Sequence, residues 1–446
     1  MKLTVFQSGK GDSLLLTGAD GRRLLSDGGT GDAYSEHVAP ALGALRDAGE
    51  TLDVVYLSHI DDDHIGGVLR LMDDEIDWRV HDFQLKGGNT SHKPPAAPRP
   101  PKVGAIWHNA FHEQVGQNSG AIEDMLAASA AVLSGSENAV VRRLATEQSD
   151  LATSVAQSLK LARRVSPEQL GIKLNPPAKG KLMMLRADVK AIKVGGMRFT
   201  IIGPPASELT KLRKDWNNWL EKNEKQLDSI QKGAGEDEKA IGANAVGEIM
   251  LPKAKQADAL ASLLPLAPAK FVLGERKKVT TPNLASLMFF VQEGKKTLLL
   301  TGDGHHLDIL DGLRKIKKLK ASGGLHVDVL KVQHHGSEYN LDEVFCRTIT
   351  ADNYVFCGDG EHENPDLRVL QAIADSRLGT ADQLSKNKEV GDAFKFWFNN
   401  SSAATKKADA KAHMKKVEKL VAKLISKSGG RMTSFFLKGD SFELQI

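Results

Sequence analysis

With 446 residues, 41% of them hydrophobic and 26% charged, the chain has the balance of a globular protein able to bury a full core, in one large domain or two ordinary ones. No apolar run approaches the ~18 residues of a membrane span, the first residues enter a strand with no secretory signal, and two cysteines, Cys346 and Cys357, offer neither a disulfide framework nor a zinc knuckle. A cytoplasmic setting is therefore expected, and a net charge of +4 does not by itself imply nucleic acid.

Taken in chain order, Leu3-Thr4-Val5-Phe6 and then Val54-Val55-Tyr56-Leu57 read as strands, the second closed by Ser58. There follows His59-Ile60-Asp61-Asp62-Asp63-His64, an H-x-D-x-D-H spacing of metal-ligand residues, after which Ile65-Gly66-Gly67-Val68-Leu69 resumes an apolar pattern as a helix. On such a strand-to-helix turn His59 and Asp61 can face one metal and Asp63 and His64 another, with the glycines letting backbone pack closely beneath. The alternative, an acidic loop whose Asp62 or Asp63 caps the helix, leaves both histidines without a role. A carboxylate from Asp61 in place of a third imidazole suits manganese or magnesium as well as zinc.

The proline-rich stretch from Pro94 to Pro101 is a stiff loop leading into a strand from Val103 to Trp107, with His108 and His112 just beyond. Helical patterns dominate from Gln117 to Leu170. A strand pair follows, Val189 to Val194 and Arg198 to Ile202, turning at Gly195-Gly196, then a charged helix from Ser207 to Ile230 and a Gly- and charge-rich segment to Lys239. On that helix Trp216 and Trp219 read as a packing pair rather than a base-stacking platform. Thr297 to Leu300 is a buried strand projecting Asp303, and Asp328 to Val332 is another delivering His334-His335-Gly336-Ser337. Ala403 to Lys427 reads as an amphipathic helix with a lysine-rich outer face, serving either as a solvated surface or as a track for phosphates.

The order and content of these segments resemble the metallo-β-lactamase superfamily, and within it the hydrolase domain of the ComEC competence proteins. Phe6-Gln7-Ser8-Gly9-Lys10-Gly11-Asp12-Ser13 resembles that family's V-G-Q-G-D-[AS] opening, and Leu25-Ser26-Asp27-Gly28-Gly29 its L-I-D-G-G strand end. Ser58 to Gly67 resembles its S-H-x-D-x-D-H-x-G-G, Asn283-Leu284-Ala285-Ser286 with Leu300 to Asp303 its N-x-x-S and L-T-G-D pair, and Leu330 to Ser337 its L-K-x-x-H-H-G-S. The resemblance covers the first 85 residues and those from about 276 to 370.

It implies a four-layered αββα sandwich of the metallo-β-lactamase type with a large, mostly helical insert: a first core half in 1–112, an insert or cap in 113–275, a second core half in 276–400, and the lysine-rich helix with C-terminal strands in 401–446. It implies two divalent metal ions, zinc or manganese with magnesium admitted. His59 and Asp61 would lie on the first and Asp63 and His64 on the second, Asp303 bridging, and a metal-bridged hydroxide would attack the substrate, so that Asp63, His64 and Asp303 carry catalysis. One histidine of the His334-His335 pair completes the second site, and His334 is favoured. The first site's remaining histidine is His108, with His112 as the alternative. Asp12 and Asp27 orient ligands, and His335, Ser337 and Asn364 support the ligands from behind or meet the substrate, Asn364 standing where the family's late H-P dipeptide has histidine. The implied activity is that of a nuclease or phosphodiesterase, with nucleic acid or another phosphodiester as substrate and a partner subunit left open. The alternatives are hydrolysis of a lactone, thioester or cyclic nucleotide, or a regulatory protein with structural metals.

Overall fold

The computed structural model describes residues 1–109, 157, 160–186, 188, 190–206, 273–276, 279, 281–385, 387 and 389–446. The chain divides into two units, 1–109 with 160–209 and 272–446 forming the first, and 110–159 with 210–271 the second. The second lies outside the described residues apart from Gln157, and with it the charged helix from Ser207, the Trp216–Trp219 pair and His112.

The first unit is built on two sheets. In one, strands β1 (Lys2–Phe6), β2 (Leu14–Thr17), β3 (Arg23–Ser26), β4 (Leu52–Tyr56), β5 (Val103–Trp107) and β6 (Lys173–Leu174) lie side by side in that order, and β15 (Ser441–Gln445) flanks β1. In the other, β7 (Ile192–Val194), β8 (Met197–Gly203), β9 (Met288–Glu293), β10 (Lys296–Leu300), β11 (Leu325–Lys331), β12 (Ile349–Phe356), β13 (Phe394–Phe398) and β14 (Met432–Phe436) follow in order.

Successive side chains of a strand point to opposite faces, and here both faces are apolar. Leu14, Leu16, Leu24, Val54 and Tyr56 of the first sheet meet Phe199, Phe289, Val291, Leu298 and Val329 of the second in one buried layer between the sheets. Tyr56 sits edge-on to Phe289 with centroids 5.0 Å apart. The alternate residues Leu15, Leu25, Val55 and Ile106 pack outward against helix α1 (Ala39–Asp47) and the first half of helix α2 (Asp62–Lys86). On the far side of the second sheet, Phe290, Leu299, Leu330 and Phe396 pack against α3 (His306–Lys315), α4 (Glu343–Thr348), α5 (Leu367–Leu378) and α6 (Ala408–Lys427). The result is the four-layered αββα sandwich.

One boundary moves. The hairpin assigned to the insert belongs to the core, because Thr200 of β8 pairs with Phe290 of β9, and Leu174 of β6 pairs with Ile106 of β5. Sequence order places these strands in the insert, whereas sheet pairing returns them to the sandwich. Among the described residues no helix is long and apolar enough to cross a membrane.

Candidate metal centre

Strands β3, β4 and β5 run parallel, as do β10 and β11, so their carboxyl ends deliver functional residues to one edge. Asp27 follows β3, Ser58 to His64 follow β4, His108 follows β5, Asp303 follows β10, and His334 and His335 follow β11. Asp12 comes from the turn between β1 and β2. Two glycines allow this convergence: a Cβ on Gly67 would lie 2.0 Å from the Gly28 carbonyl oxygen, and one on Gly11 would lie 1.7 Å from that of Asp63. Asp61 is the N-cap residue of α2, yet its side chain makes no capping hydrogen bond, and its Oδ2 stands 3.6 Å from His59 Nε2. The carboxylate thus faces the cluster, which a simple capping role would not require.

Four side chains converge most tightly. His335 Nε2 lies 3.3 Å from Asp63 Oδ2 and 3.3 Å from Asp303 Oδ2, and His64 Nε2 lies 3.4 Å from His335 Nε2 and 3.4 Å from Asp303 Oδ1. Donors around a tetrahedral ion with bonds of about 2.0–2.1 Å stand about 3.3–3.4 Å apart, the separation found in each of these four pairs. A looser set adjoins it. His59 Nε2 is 3.7 Å from Asp303 Oδ2, and both His59 Nε2 and Asp303 Oδ1 are buried with no hydrogen-bond partner among the described residues. Buried polar atoms left this way mark an absent partner, and the donor chemistry fits a divalent cation. Asp12, His64, Asp303 and His335 also bring one ligand atom each within 4.8 Å of one another. Within that group Asp12 Oδ1 lies 3.2 Å from Nδ1 of His335, on the opposite side of the ring from Nε2.

The two histidines of the pair are placed differently. His335, not His334, meets Asp63 and His64. His334 and His335 have φ of 46° and 55° in a tight turn, so the alternation of an extended segment does not hold there. His334 instead directs Nδ1 to Asn340 Oδ1 at 2.7 Å and places Nε2 3.7 Å from Asp303 Oδ2.

Neighbouring groups hold these side chains in place. Asp27 accepts from the Ser58 N–H at 2.7 Å with one oxygen and holds the other 3.3 Å from His64 Nδ1. Ser58 Oγ lies 3.0 Å from His59 Nδ1, the Asp303 N–H donates to Ser286 Oγ at 3.2 Å, and Asn340 Nδ2 donates to the Asp303 carbonyl at 2.8 Å. Such outer partners set tautomer and orientation. Sequence reasoning assigns no role to Ser58, Ser286, Asn340 or the buried Lys331. For Lys331 the signal is present, since a lysine inside the apolar run Val329-Leu330-Lys331-Val332 is out of place unless paired. Ser337 and Asn364 shape loops: Ser337 Oγ accepts from the Tyr339 N–H, and the Asn364 N–H donates to the Glu361 carbonyl. The Ser337 N–H also donates to the His334 carbonyl at 2.8 Å, closing the turn that carries the histidine pair.

The cluster is strongly polarised. Burial would raise the Asp303 pKa, but His335, His64, His334 and His59 pull it well below the carboxylate range. Burial opposes charge on His64 and His335, yet Asp303 with Asp27 raises the first, and Asp303 with Asp12 and Asp63 raises the second, well above an ordinary imidazole. The carboxylates thus favour the protonated rings, and metal binding competes with those protons. Metal affinity is expected to climb with pH, about tenfold per unit for each proton displaced, until the rings deprotonate unaided. In the metal-free protein the sign is reversed: the raised imidazoles lend stability that is complete below pH ~6.5 and is lost as pH rises through their folded-state values. Zinc titration calorimetry in buffers of different ionisation enthalpy should show proton release near pH 7, and its absence would contradict the protonated cluster.

His108 is buried at the same sheet edge as His59, its main chain clasped by Asn175, whose side chain accepts from the His108 N–H at 2.9 Å and donates to its carbonyl. His108→Ala is expected to lower metal content and hydrolysis about 10–100-fold more than His112→Ala, as loss of a ligand or a close partner does. Equal, mild effects would remove His108 from the centre.

Residues 8–77 match the family model described as the metallo-beta-lactamase superfamily, a stretch that contains Asp12, Asp27 and the whole of His59 to His64. Comparison with curated proteins finds no match.

Proposed function

We propose that the protein is a metal-dependent hydrolase of phosphodiesters, with nucleic acid as its substrate. The observation that carries the hydrolase reading is the convergence of Asp63, His64, Asp303 and His335 at the spacing of a metal ligand set, within a stretch and a sandwich of the metallo-β-lactamase kind. Those four residues would hold one ion, and His59 and Asp61, sharing Asp303, a second, more weakly held one. Divalent ions in such a site polarise a scissile phosphoryl group and make water nucleophilic at neutral pH. The chain's own residues set the conditions: Asp27 and Asp12 turn Nε2 of His64 and His335 toward the shared carboxylate, and burial of the cluster limits competing water. Of these four rings His334 is the most open, its side chain 26% exposed against 0–4% for His59, His64 and His335, and this supports a role for it in meeting substrate.

The phosphodiester part of the reading is supported by α6. Its apolar stripe of Met414, Val417, Val421 and Leu424 is buried, while Lys415, Lys416, Lys419 and Lys423 are exposed and have no ion-pair partner among the described residues. The test is hydrolysis of labelled single- and double-stranded DNA and RNA with Mn²⁺, Mg²⁺ or Zn²⁺ added in turn. Metal-dependent cleavage that a chelator abolishes is the expected result. Wild-type protein that cleaves none of these and opens a lactone, a thioester or a cyclic nucleotide would overturn the substrate assignment, and protein that binds no metal would overturn the hydrolase reading.

A further inference from the structure

Lys331, the last residue of β11, is 1% exposed and stands inside the centre. Its Nζ pairs with Asp12 Oδ2, donates to the Gly302 carbonyl at 3.1 Å, and lies 3.6 Å from Asp303 Oδ1. The remaining oxygen of Asp12 is the one that faces His335 Nδ1. We propose that Lys331 is a positioning residue of the metal centre, a fixed ammonium that clamps Asp12 against His335 and braces the carboxylate of Asp303. This rests on the metal-centre reading above and adds to it a group that is no ligand.

The argument is one of geometry and charge. A buried ammonium costs several kcal/mol unless its counter-charges are close, and a well-packed apolar residue would serve stability as well or better. Here the two carboxylates beside the ammonium are the ones that touch the ligand set. With Oδ2 held by Lys331, Asp12 keeps Oδ1 3.2 Å from His335 Nδ1, a pairing of charge that holds the opposite edge of the ring, Nε2, toward Asp63 and Asp303. One cation thereby links the turn after β1, the end of β10 and the end of β11. It also offsets part of the negative charge of Asp12, Asp27, Asp61, Asp63 and Asp303, which crowd this edge.

The test uses the full chain as wild type, K331M, D12N and the double variant D12N/K331M, each titrated with Zn²⁺ alone and with Co²⁺ followed by its visible absorption. K331M should lower the affinity of the tighter site about 10–100-fold and shift the Co²⁺ bands, because the orientation of His335 is released. D12N should do the same, and the double variant should be no worse than the poorer single, since both changes act through one carboxylate. The double variant leaves no unpaired buried ion at this pair, so it carries the test if K331M alone folds poorly. Wild-type affinity and an unshifted Co²⁺ spectrum in K331M or in the double variant would overturn the proposal, as would independent, additive losses. A wild-type chain that takes up no metal would be a different result, the failure of the metal-centre reading beneath it.

Discussion

Asp63→Ala, His64→Ala and His335→Ala are each expected to abolish metal-dependent hydrolysis and to cut metal affinity by well over about a hundredfold, the upper range for losing even an outer partner. All three residues belong to the set spaced at 3.3–3.4 Å, and none is replaced by a neighbour of the same chemistry at the same place. The fold should survive, because these side chains lie at the sheet edge while the layer between the sheets is untouched. Stability should lose the metal's contribution in all three variants, and in His64→Ala and His335→Ala also the part that the raised imidazoles lend the metal-free chain at low pH. Metal at about 1,000 times its dissociation constant stabilises the folded chain by about 4.1 kcal/mol, and the variants should lose that increment, melting alike with and without metal. Elemental analysis paired with thermal melts checks both parts, and unchanged metal content in the variants would sink the assignment. His334→Ala makes the informative contrast, since it should retain the tighter ion while impairing turnover.

What could be read from the sequence, and what could not, follows from local chemistry. The turn from His59 to His64 and the position of Asp303 were legible because each follows an apolar strand directly, and a strand end held by a sheet has few places to point. The strand from Val103 to Trp107 was legible for the same reason. The choice between His334 and His335 was not, because it depends on two consecutive left-handed residues, and neither histidine advertises a positive φ. Sheet membership of the β7–β8 hairpin was hidden as well: its own turn is local, but its pairing with β9 spans a segment of the second unit. Lys331 shows a third kind of loss. Its motif was recognised, yet a strand lysine gains meaning only once Asp12 and Asp303 are seen to come from distant elements.

The second large effect concerns substrate. Changing Lys415, Lys416, Lys419 and Lys423 together to glutamate is expected to weaken nucleic-acid binding by at least about a hundredfold at low salt and to flatten the salt dependence by about 0.9 in slope for each duplex phosphate no longer neutralised. Helix α6 has 20 residues and so spans about 30 Å, enough to follow many phosphates of a duplex that carries a charge every ~1.7 Å. Its first turns pack on the loop after β12: the His413 ring lies 3.0 Å from the Pro365 carbonyl oxygen, and a Cβ on Gly360 would meet the Ala410 carbonyl. In that loop a Cβ on Gly358 would lie 3.3 Å from the Cβ of His335. The buried face of α6 is thus joined through one loop to His335. The four lysines are exposed and the buried stripe is left alone, so the variant should fold, with a cost of about 0.3–1 kcal/mol for the new acid nearest the helix C-terminus. Hydrolysis of bis-p-nitrophenyl phosphate should be retained, because no residue of the centre is altered. Charge-reversed protein that binds DNA and RNA as wild type does, at every salt concentration, would remove α6 as the footprint. Loss of hydrolysis of the small diester in the same variant would show instead that the helix supports the centre itself.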